Sequence, residues 1–364
     1  MSSEMKPTMR VARTVAAETI EYAEVPVPSP TPGNAVVRVR CVTLCGTDLH
    51  IWEDDYATEL PIVQGHEFSA TIAGLHPEDD GGPLAVGDDV AVSPVSSCGR
   101  CYACSIDRPN ACAQMSVYGC YDDDGALAEY LLVPLDRARR LPAGLSTDLA
   151  PLWEPVSIAL QAVTRGRALP GERVLVSGAG PIGLLALVCL KDLGCDVAIA
   201  DTDSERLELA AVLGAARTLS VAAGFPSVDQ RRLLAEWTDG EGPSLVIDAT
   251  GAPASLASAV DLVAPAGRVV VVGISEREVA LSMRALPVKE IDLLGSRNSR
   301  HLMDQALDLL ARHQDECRSL ITHRFAFEEL DAAFRTLRGR TGGTGEPGEM
   351  RVGKIAIDLP EVLS

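Results

Sequence analysis

Residues 36–42, VVRVRCV, carry arginine at alternate positions, and that period of two predicts a half-exposed β-strand. Similar short patterns broken by proline predict strands over 10–17, 18–22 and 35–41, with a turn at 28–34. FSATIAGL (68–75) continues the series and is followed by an acidic, glycine-rich surface loop, HPEDDGGPLAVGDD. Residues 68–92 therefore read as part of a small twisted barrel or sandwich. Strand character returns at 125–134 and 139–142, and residues 146–168 read as helical.

At Arg173 the period changes. RVLVSG is a short continuous apolar run, as expected of a parallel strand covered on both faces, and the apolar helix LLALVCLKDLG follows it. Strands are then expected at 196–201, 218–221, 245–250, 268–274 and 292–295, with helices near 204–214, 227–238 and 253–264 between them. Six strands with intervening helices predict an α/β, doubly wound sheet. Beyond it, MDQALDLLARH and FEELDAAFRTLRG have the period of amphipathic helices, and VGKIAIDL reads as a strand. Between the last helix and that strand, TGGTGEPGEM (341–350) reads as a mobile loop.

A chain of 364 residues suits two domains, and an apolar fraction of 47% with 23% charged residues is that of a soluble globular protein. The net charge of −19 argues against nucleic acid and anionic membranes as partners, because phosphate binding needs a basic face. The first twenty-five residues mix charged and apolar positions and hold no signal-peptide core, and the longest apolar run, 182–190, is about half of a bilayer span. These features predict a cytoplasmic protein.

Four of the ten cysteines, Cys98, Cys101, Cys104 and Cys112, fall at intervals of three, three and eight. That spacing suits a tetrahedral thiolate shell around Zn²⁺ better than disulfides in a chain without an export signal. A redox CxxC is disfavoured because no helix-initiating pattern follows. Four sulfurs leave zinc no open position, so this clip braces a loop and the chemistry lies elsewhere. Of the other six cysteines, five sit in apolar or helical settings that suit a small buried hydrophobe, and Cys45 is the exception. It opens the loop CGTDLHIWEDD (45–55), which offers a thiol, the hydroxyl of Thr47 and two possible metal ligands, Asp48 and His50. Gln64-Gly65-His66-Glu67 sets imidazole beside carboxylate. Adjacent strand residues face opposite ways, so His66 and Glu67 share an ion only if the chain bends, which Gly65 permits. Each is weak alone, since a lone histidine is usually a satisfied core or surface residue. Together with Glu154 they offer sulfur, nitrogen and carboxylate, with room for water or substrate.

Gly178-Ala179-Gly180-Pro181-Ile182-Gly183 follows one strand and opens a helix, and Asp201 ends the next strand about twenty residues on. In that context the glycines admit a pyrophosphate to a helix N-terminus, and Asp201 would take the ribose hydroxyls, favouring NAD. Arg206 is the counter-signal, because a guanidinium could meet the 2′-phosphate of NADP. As a mere helix cap, Asp201 is a poorer candidate than Asp203 or Ser204.

The ordered set of Cys45, Gly65-His66-Glu67, the four-cysteine lobe, Glu154-Pro155 and residues 178–183 resembles the zinc-dependent medium-chain alcohol dehydrogenases over nearly the whole chain. Glu67 and Glu154-Pro155 look like the polyol and sugar branch, CGTDLHIW resembles the loop of threonine dehydrogenases, and the runs PVSSCGRCYACSIDRPNAC and LITHRFAFEELDAA look most like sugar-acid 5-dehydrogenases acting on gulonate or galactonate. The resemblance implies a GroES-like, β-rich catalytic domain over 1–160, with a structural zinc lobe at 95–115. It further implies a six-stranded Rossmann NAD domain over 161–298 and a catalytic return segment over 299–364. It implies two zinc ions per chain, NAD, a small polyhydroxy substrate and a homodimer or homotetramer. Carried over, Cys45, His66 and Glu67 match the catalytic zinc ligands, Glu154 a fourth that exchanges with water, and Thr47 and His50 a proton relay. Arg297 falls where the polyol branch contacts substrate, and a plain surface arginine is the alternative. The implied reaction is oxidation of a secondary hydroxyl of a sugar acid, polyol or cyclitol to the ketone. Alternatives are threonine 3-dehydrogenation, against which Glu154 counts because that branch usually has another acidic residue there, and a non-catalytic NAD-binding sensor.

Overall fold

The computed structural model describes residues 7–79, 82–222, 225–342 and 353–360. The chain divides into two compact units, 1–154 with 303–364, and 155–302. In the first, β1 (Thr8–Ala16) and β2 (Thr19–Pro26) form an antiparallel hairpin. β3 (Asn34–Leu44) runs straight into α1 (Gly46–Trp52), and β4 (Glu67–Leu75) and β5 (Asp89–Val92) follow. The two-residue strands β6 (Val95–Ser96) and β7 (Ser116–Val117) pair across the cysteine lobe, which holds the one-turn helix α2 (Tyr102–Ser105). β8 (Tyr130–Pro134) and β9 (Ala138–Arg140) complete this part.

Residues 146–168 are less helical than their pattern suggests. A 3₁₀ turn at Ala150–Leu152 precedes α3 (Trp153–Arg165). In the second unit β10 (Arg173–Ser177), α4 (Pro181–Asp192), β11 (Asp196–Asp201), α5 (Ser204–Val212), β12 (Arg217–Ser220) and α6 (Val228–Trp237) alternate. β13 (Leu245–Asp248), α7 (Pro253–Leu262), β14 (Arg268–Val271), α8 (Ala285–Lys289) and β15 (Asp292–Gly295) continue the series. The six strands are parallel in the order β12-β11-β10-β13-β14-β15. The chain winds outward from β10 to β12, then restarts on the other side of β10 at β13. That reversal creates the crevice at the carboxyl ends where such sheets take their ligands. Burial of every residue from Val174 to Ser177 and from Leu245 to Asp248 accounts for their unbroken apolar runs.

The chain returns to the first unit through α9 (Met303–Arg312), α10 (Gln314–Arg318), β16 (Ile321–Ala326), α11 (Leu330–Gly342) and β17 (Lys354–Asp358). The rest of the glycine-rich stretch expected to be a mobile loop lies outside the described residues. Apart from the β1–β2 hairpin and the β6–β7 pair, the strands of this unit join in one sheet, β16-β17-β3-β4-β5-β9, with β8 also on β3. Its register sets Leu44 opposite Ile355 and Thr43 opposite Glu67. The end of β3, the start of β4 and the start of β17 therefore meet at one end of the sheet. Val39, Phe68, Ile72, Phe334 and Ile357 belong to the core beneath it. Trp52 of α1 is fully buried and stacks on Phe334 of α11, with centroids 5.3 Å apart and planes 12° from parallel. The Arg338 guanidinium lies 4.6 Å from the Trp52 ring centre. Full burial of an aromatic side chain stabilises by about 1.5–3 kcal/mol, so this stack is a firm seat for α1. Among the described residues no helix is long and apolar enough to cross a membrane.

Candidate active site and metal centres

The four lobe cysteines are free thiols whose sulfurs converge. Cys101 Sγ lies 3.5 Å from Cys104 Sγ and 3.8 Å from Cys112 Sγ, and Cys112 lies 3.5 Å from Cys98. A tetrahedron with zinc–sulfur bonds of about 2.3 Å has edges of about 3.8 Å, so the spacing fits Zn²⁺ and is far too long for disulfides. Backbone N–H groups of Ala113 and Cys104 pull the Cys101 thiol down to about 6, which favours the thiolate that a metal needs. One helical turn does follow Cys101, contrary to the sequence expectation. The convergence of four sulfurs excludes a redox pair without that argument.

The second cluster stands where β3, β4 and β17 meet. Residues 45–52 are not the loop expected from their mixed polarity. Cys45 is the N-cap of α1, and the Asp48 carboxylate accepts its N–H at 2.8 Å. Leu49, Ile51 and Trp52 bury one face, and this packing, together with the Asp48 cap, outweighs the glycine. Gly65 has φ +101, and a Cβ there would lie 3.1 Å from Val42 Cγ1 and 3.2 Å from Leu127 N. The bend lets His66, just outside β4, and Glu67, its first residue, turn to the same place. One donor atom each from Cys45, His66 and Glu67 falls within 4.8 Å of the others.

Burial drags the His66 imidazole down, but Asp48, Cys120 and Cys45 outweigh it and hold the ring well above its usual value. His66 Nδ1 lies 3.6 Å from Asp48 Oδ1 and 3.9 Å from Cys120 Sγ. Asp48 Oδ1 is buried without a hydrogen-bond partner. Asp48 is thus no member of the ligand set, as its sequence position had allowed, but stands behind His66, where it would leave Nε2 to a metal. Burial and the neighbouring Glu67 push the Glu154 carboxyl up to about 7, with His66 and Lys354 acting the other way. The Cys45 thiol, the His66 imidazole and the carboxylates of Glu67 and Glu154, with the Asp48 carboxylate behind His66, form a donor set rich in negative charge. A divalent cation fits it, and the mixture of sulfur, nitrogen and oxygen fits zinc.

Thr47 Oγ1 is 3.9 Å from Cys45 Sγ. His50 is not drawn into the cluster; it is exposed, with Nδ1 2.9 Å from Asp55 Oδ1. Sequence reasoning offers Asp48 only as a possible ligand, places Cys120 among the small buried hydrophobes and gives Lys354 no role. Lys354 is 3% exposed and pairs with Glu67 across 287 positions. Its one signal was a lone cation at the head of an apolar strand.

In the second unit Gly178 has φ +96, and a Cβ on Gly183 would lie 1.8 Å from Gly178 O. Gly180 is the N-cap of α4 and offers no side-chain cap, with Pro181 and Ile182 opening the helix. The first N–H groups of α4 are therefore left to an anion. Asp201 is buried, accepting Ala179 N–H at 2.6 Å and Asp203 N–H at 2.9 Å. Asp203 caps α5, as expected, and holds Arg206 Nε at 3.5 Å. Arg297 is exposed just past β15.

Two family models match. Residues 31–143 fit the alcohol dehydrogenase GroES-like domain and 181–312 the zinc-binding dehydrogenase. The starvation-sensing protein RspB of Escherichia coli K12 is 34% identical over 310 residues, 84% of this chain and 88% of its own. A solved RspB structure from E. coli CFT073, complexed with cofactor NADH, matches at TM-score 0.86 and 30% identity, covering 97% of this chain and 100% of that one. L-threonine 3-dehydrogenase of Pyrococcus abyssi is 32% identical over 352 residues, 94% of this chain and 98% of its own. L-idonate 5-dehydrogenase of Vitis vinifera is 29% identical over 316 residues, 85% and 86% of the two chains.

Proposed function

We infer that this chain, which belongs to the zinc-dependent medium-chain alcohol dehydrogenase family and is a zinc-type NAD(H) oxidoreductase, oxidises a secondary hydroxyl of a sugar acid, polyol or cyclitol to the ketone. The observation that carries the reading is the convergence of half-buried Cys45 with buried His66 and Glu67, distinct from the closed four-sulfur lobe. When bound, zinc supplies Lewis acidity that makes a hydroxyl acidic near neutral pH, and NAD⁺ supplies the hydride acceptor. The chain's own residues do the rest. Cys45, His66 and Glu67 would hold the metal, and Glu154 would serve as a fourth, exchangeable donor. Asp48 fixes the tautomer and aim of His66. Thr47 takes the hydroxyl proton, and His50, exposed and 2.9 Å from Asp55, delivers it to solvent. Substrate thus loses one proton by this route and one hydride to the nicotinamide.

Residues 178–183 bind the pyrophosphate and Asp201 the adenine ribose. The engagement of Arg206 by Asp203 supports NAD over NADP, since that guanidinium already has a carboxylate to face. Arg297, exposed at the carboxyl end of β15, is suited to a bidentate pair with a substrate carboxylate, which favours sugar acids. The relative that acts on L-idonate supports that class, and the one that acts on L-threonine keeps amino-alcohol oxidation as the second reading. β15 is an edge strand, with Leu293 exposed and Val288 and Met283 exposed before it. An apolar sheet edge of this kind supports pairing with a second copy, hence a homo-oligomer. Ten free thiols suit a reducing compartment and support a cytoplasmic enzyme.

The test is a panel of aldonic acids, matched polyols, cyclitols and threonine, followed by NADH absorbance. Oxidation of an acid far faster than its polyol is expected. Turnover of threonine alone would replace this substrate class, and no NADH from any alcohol would favour a sensor.

A further inference from the structure

The Glu67 carboxylate already has a protein partner at each oxygen. Lys354 Nζ bonds to Oε1 and Thr43 Oγ1 donates to Oε2. Lys354 Nζ also lies 3.4 Å from Leu44 O, the last carbonyl before Cys45. The sheet register builds this arrangement, because β17 lies beside β3 and β3 sets Thr43 across from Glu67. Taking an ammonium out of water costs several kcal/mol, so a lysine 3% exposed needs anions that repay it. It finds them in Glu67, and both Glu154 and Asp48 feel its charge.

We propose that Lys354 is a positioning residue that holds Glu67 partly back from the metal, so that zinc is bound less tightly and stays more electrophilic. The inference rests on the zinc reading of Cys45, His66 and Glu67. A carboxylate shared with an ammonium gives less charge to a cation than one left free, and its orientation is pinned by two donors. Without Lys354 the Glu67 carboxylate would lose that competing cation, and the cluster would keep one more negative charge. Zinc is then held more firmly and polarises substrate less. An ordinary supporting residue behind a ligand has the opposite signature, since its loss weakens metal binding roughly ten- to a hundredfold.

The experiment follows zinc release to a chromogenic chelator in the wild type and in Lys354→Met, Lys354→Gln and Lys354→Arg, with Cys45→Ser assigning the release phases. In the Met and Gln variants the phase missing from Cys45→Ser slows by roughly tenfold and kcat falls by a similar factor, the size of effect expected of a residue that touches a metal ligand. The Arg variant moves both back toward wild type. Release from the lobe is unchanged throughout, which certifies the fold, and Gln serves if Met does not fold. Release that is faster or unchanged in both neutral variants overturns the proposal. A wild-type protein with lobe zinc alone would instead remove the zinc reading on which it stands.

Discussion

Cys45 lies between β3 and α1, as the N-cap of the helix, with its sulfur near His66 and Glu67, so its replacement separates the two metal centres cleanly. Cys45→Ser is expected to lower zinc from two equivalents per chain to one and to abolish alcohol oxidation. Metal analysis of the purified variant that still finds two refutes the assignment. His50 is exposed and paired with Asp55, which suits a residue that hands protons to water. His50→Ala should lower kcat on the order of 10²-fold at pH 7, with the loss shrinking at higher pH as solvent bases substitute. A pH–rate profile parallel to wild type at all pH would remove His50 from the relay. The chemistry of these residues was legible in the sequence, because thiol, imidazole and carboxylate carry their coordination preferences with them. What the sequence left dark were groups without such a signature. Asp48 reads as a possible ligand instead of the group behind His66, Cys120 as a small buried hydrophobe, and Lys354 carries no reading of its own until the sheet brings 354 beside 67.

Among the elements, the continuous apolar strands β10, β11 and β13 and the glycine-rich turn were readable because burial on both faces leaves little freedom in composition. The α1 segment was not. Cys-Gly-Thr-Asp suggests a loop, and only tertiary burial of Leu49, Ile51 and Trp52 shows why it winds. Gly183 tests the dinucleotide element alone, since any side chain there meets the Gly178 carbonyl. Gly183→Ala should weaken NADH binding by at least about tenfold, measured by fluorescence titration, while zinc stays at two per chain; overpacking of this kind costs about 1–3 kcal/mol. Trp52→Ala removes the seat of α1 on α11 and should destabilise the first unit by about 3–5 kcal/mol in denaturant unfolding.

For the molecule as a whole, two units each with their own core imply a stability that depends on pH through a few shielded pairs. Burial alone raises the Glu172 carboxyl, but hydrogen bonds from Arg268 and the Leu169 N–H outweigh it and hold the group below its usual 4.5. A depressed carboxylate contributes its full stabilisation above about pH 4.5 and loses it as pH falls through the lowered value. Glu172→Gln should therefore lower the melting temperature at pH 7, by the equivalent of about 1–3 kcal/mol, and the gap to wild type should narrow progressively as pH falls below about 4.5. The two-unit plan was readable from the switch between strand-rich and alternating patterns. The site was less so, because its parts come from both ends of the first unit's sequence and meet only through sheet register. The most direct test of the account is X-ray absorption at the zinc edge of the wild-type protein. A four-sulfur lobe with a second zinc on Cys45, His66, Glu67 and one further oxygen predicts about five sulfur to three nitrogen or oxygen donors per two metals. A shell of sulfur alone, at one zinc per chain, would contradict it.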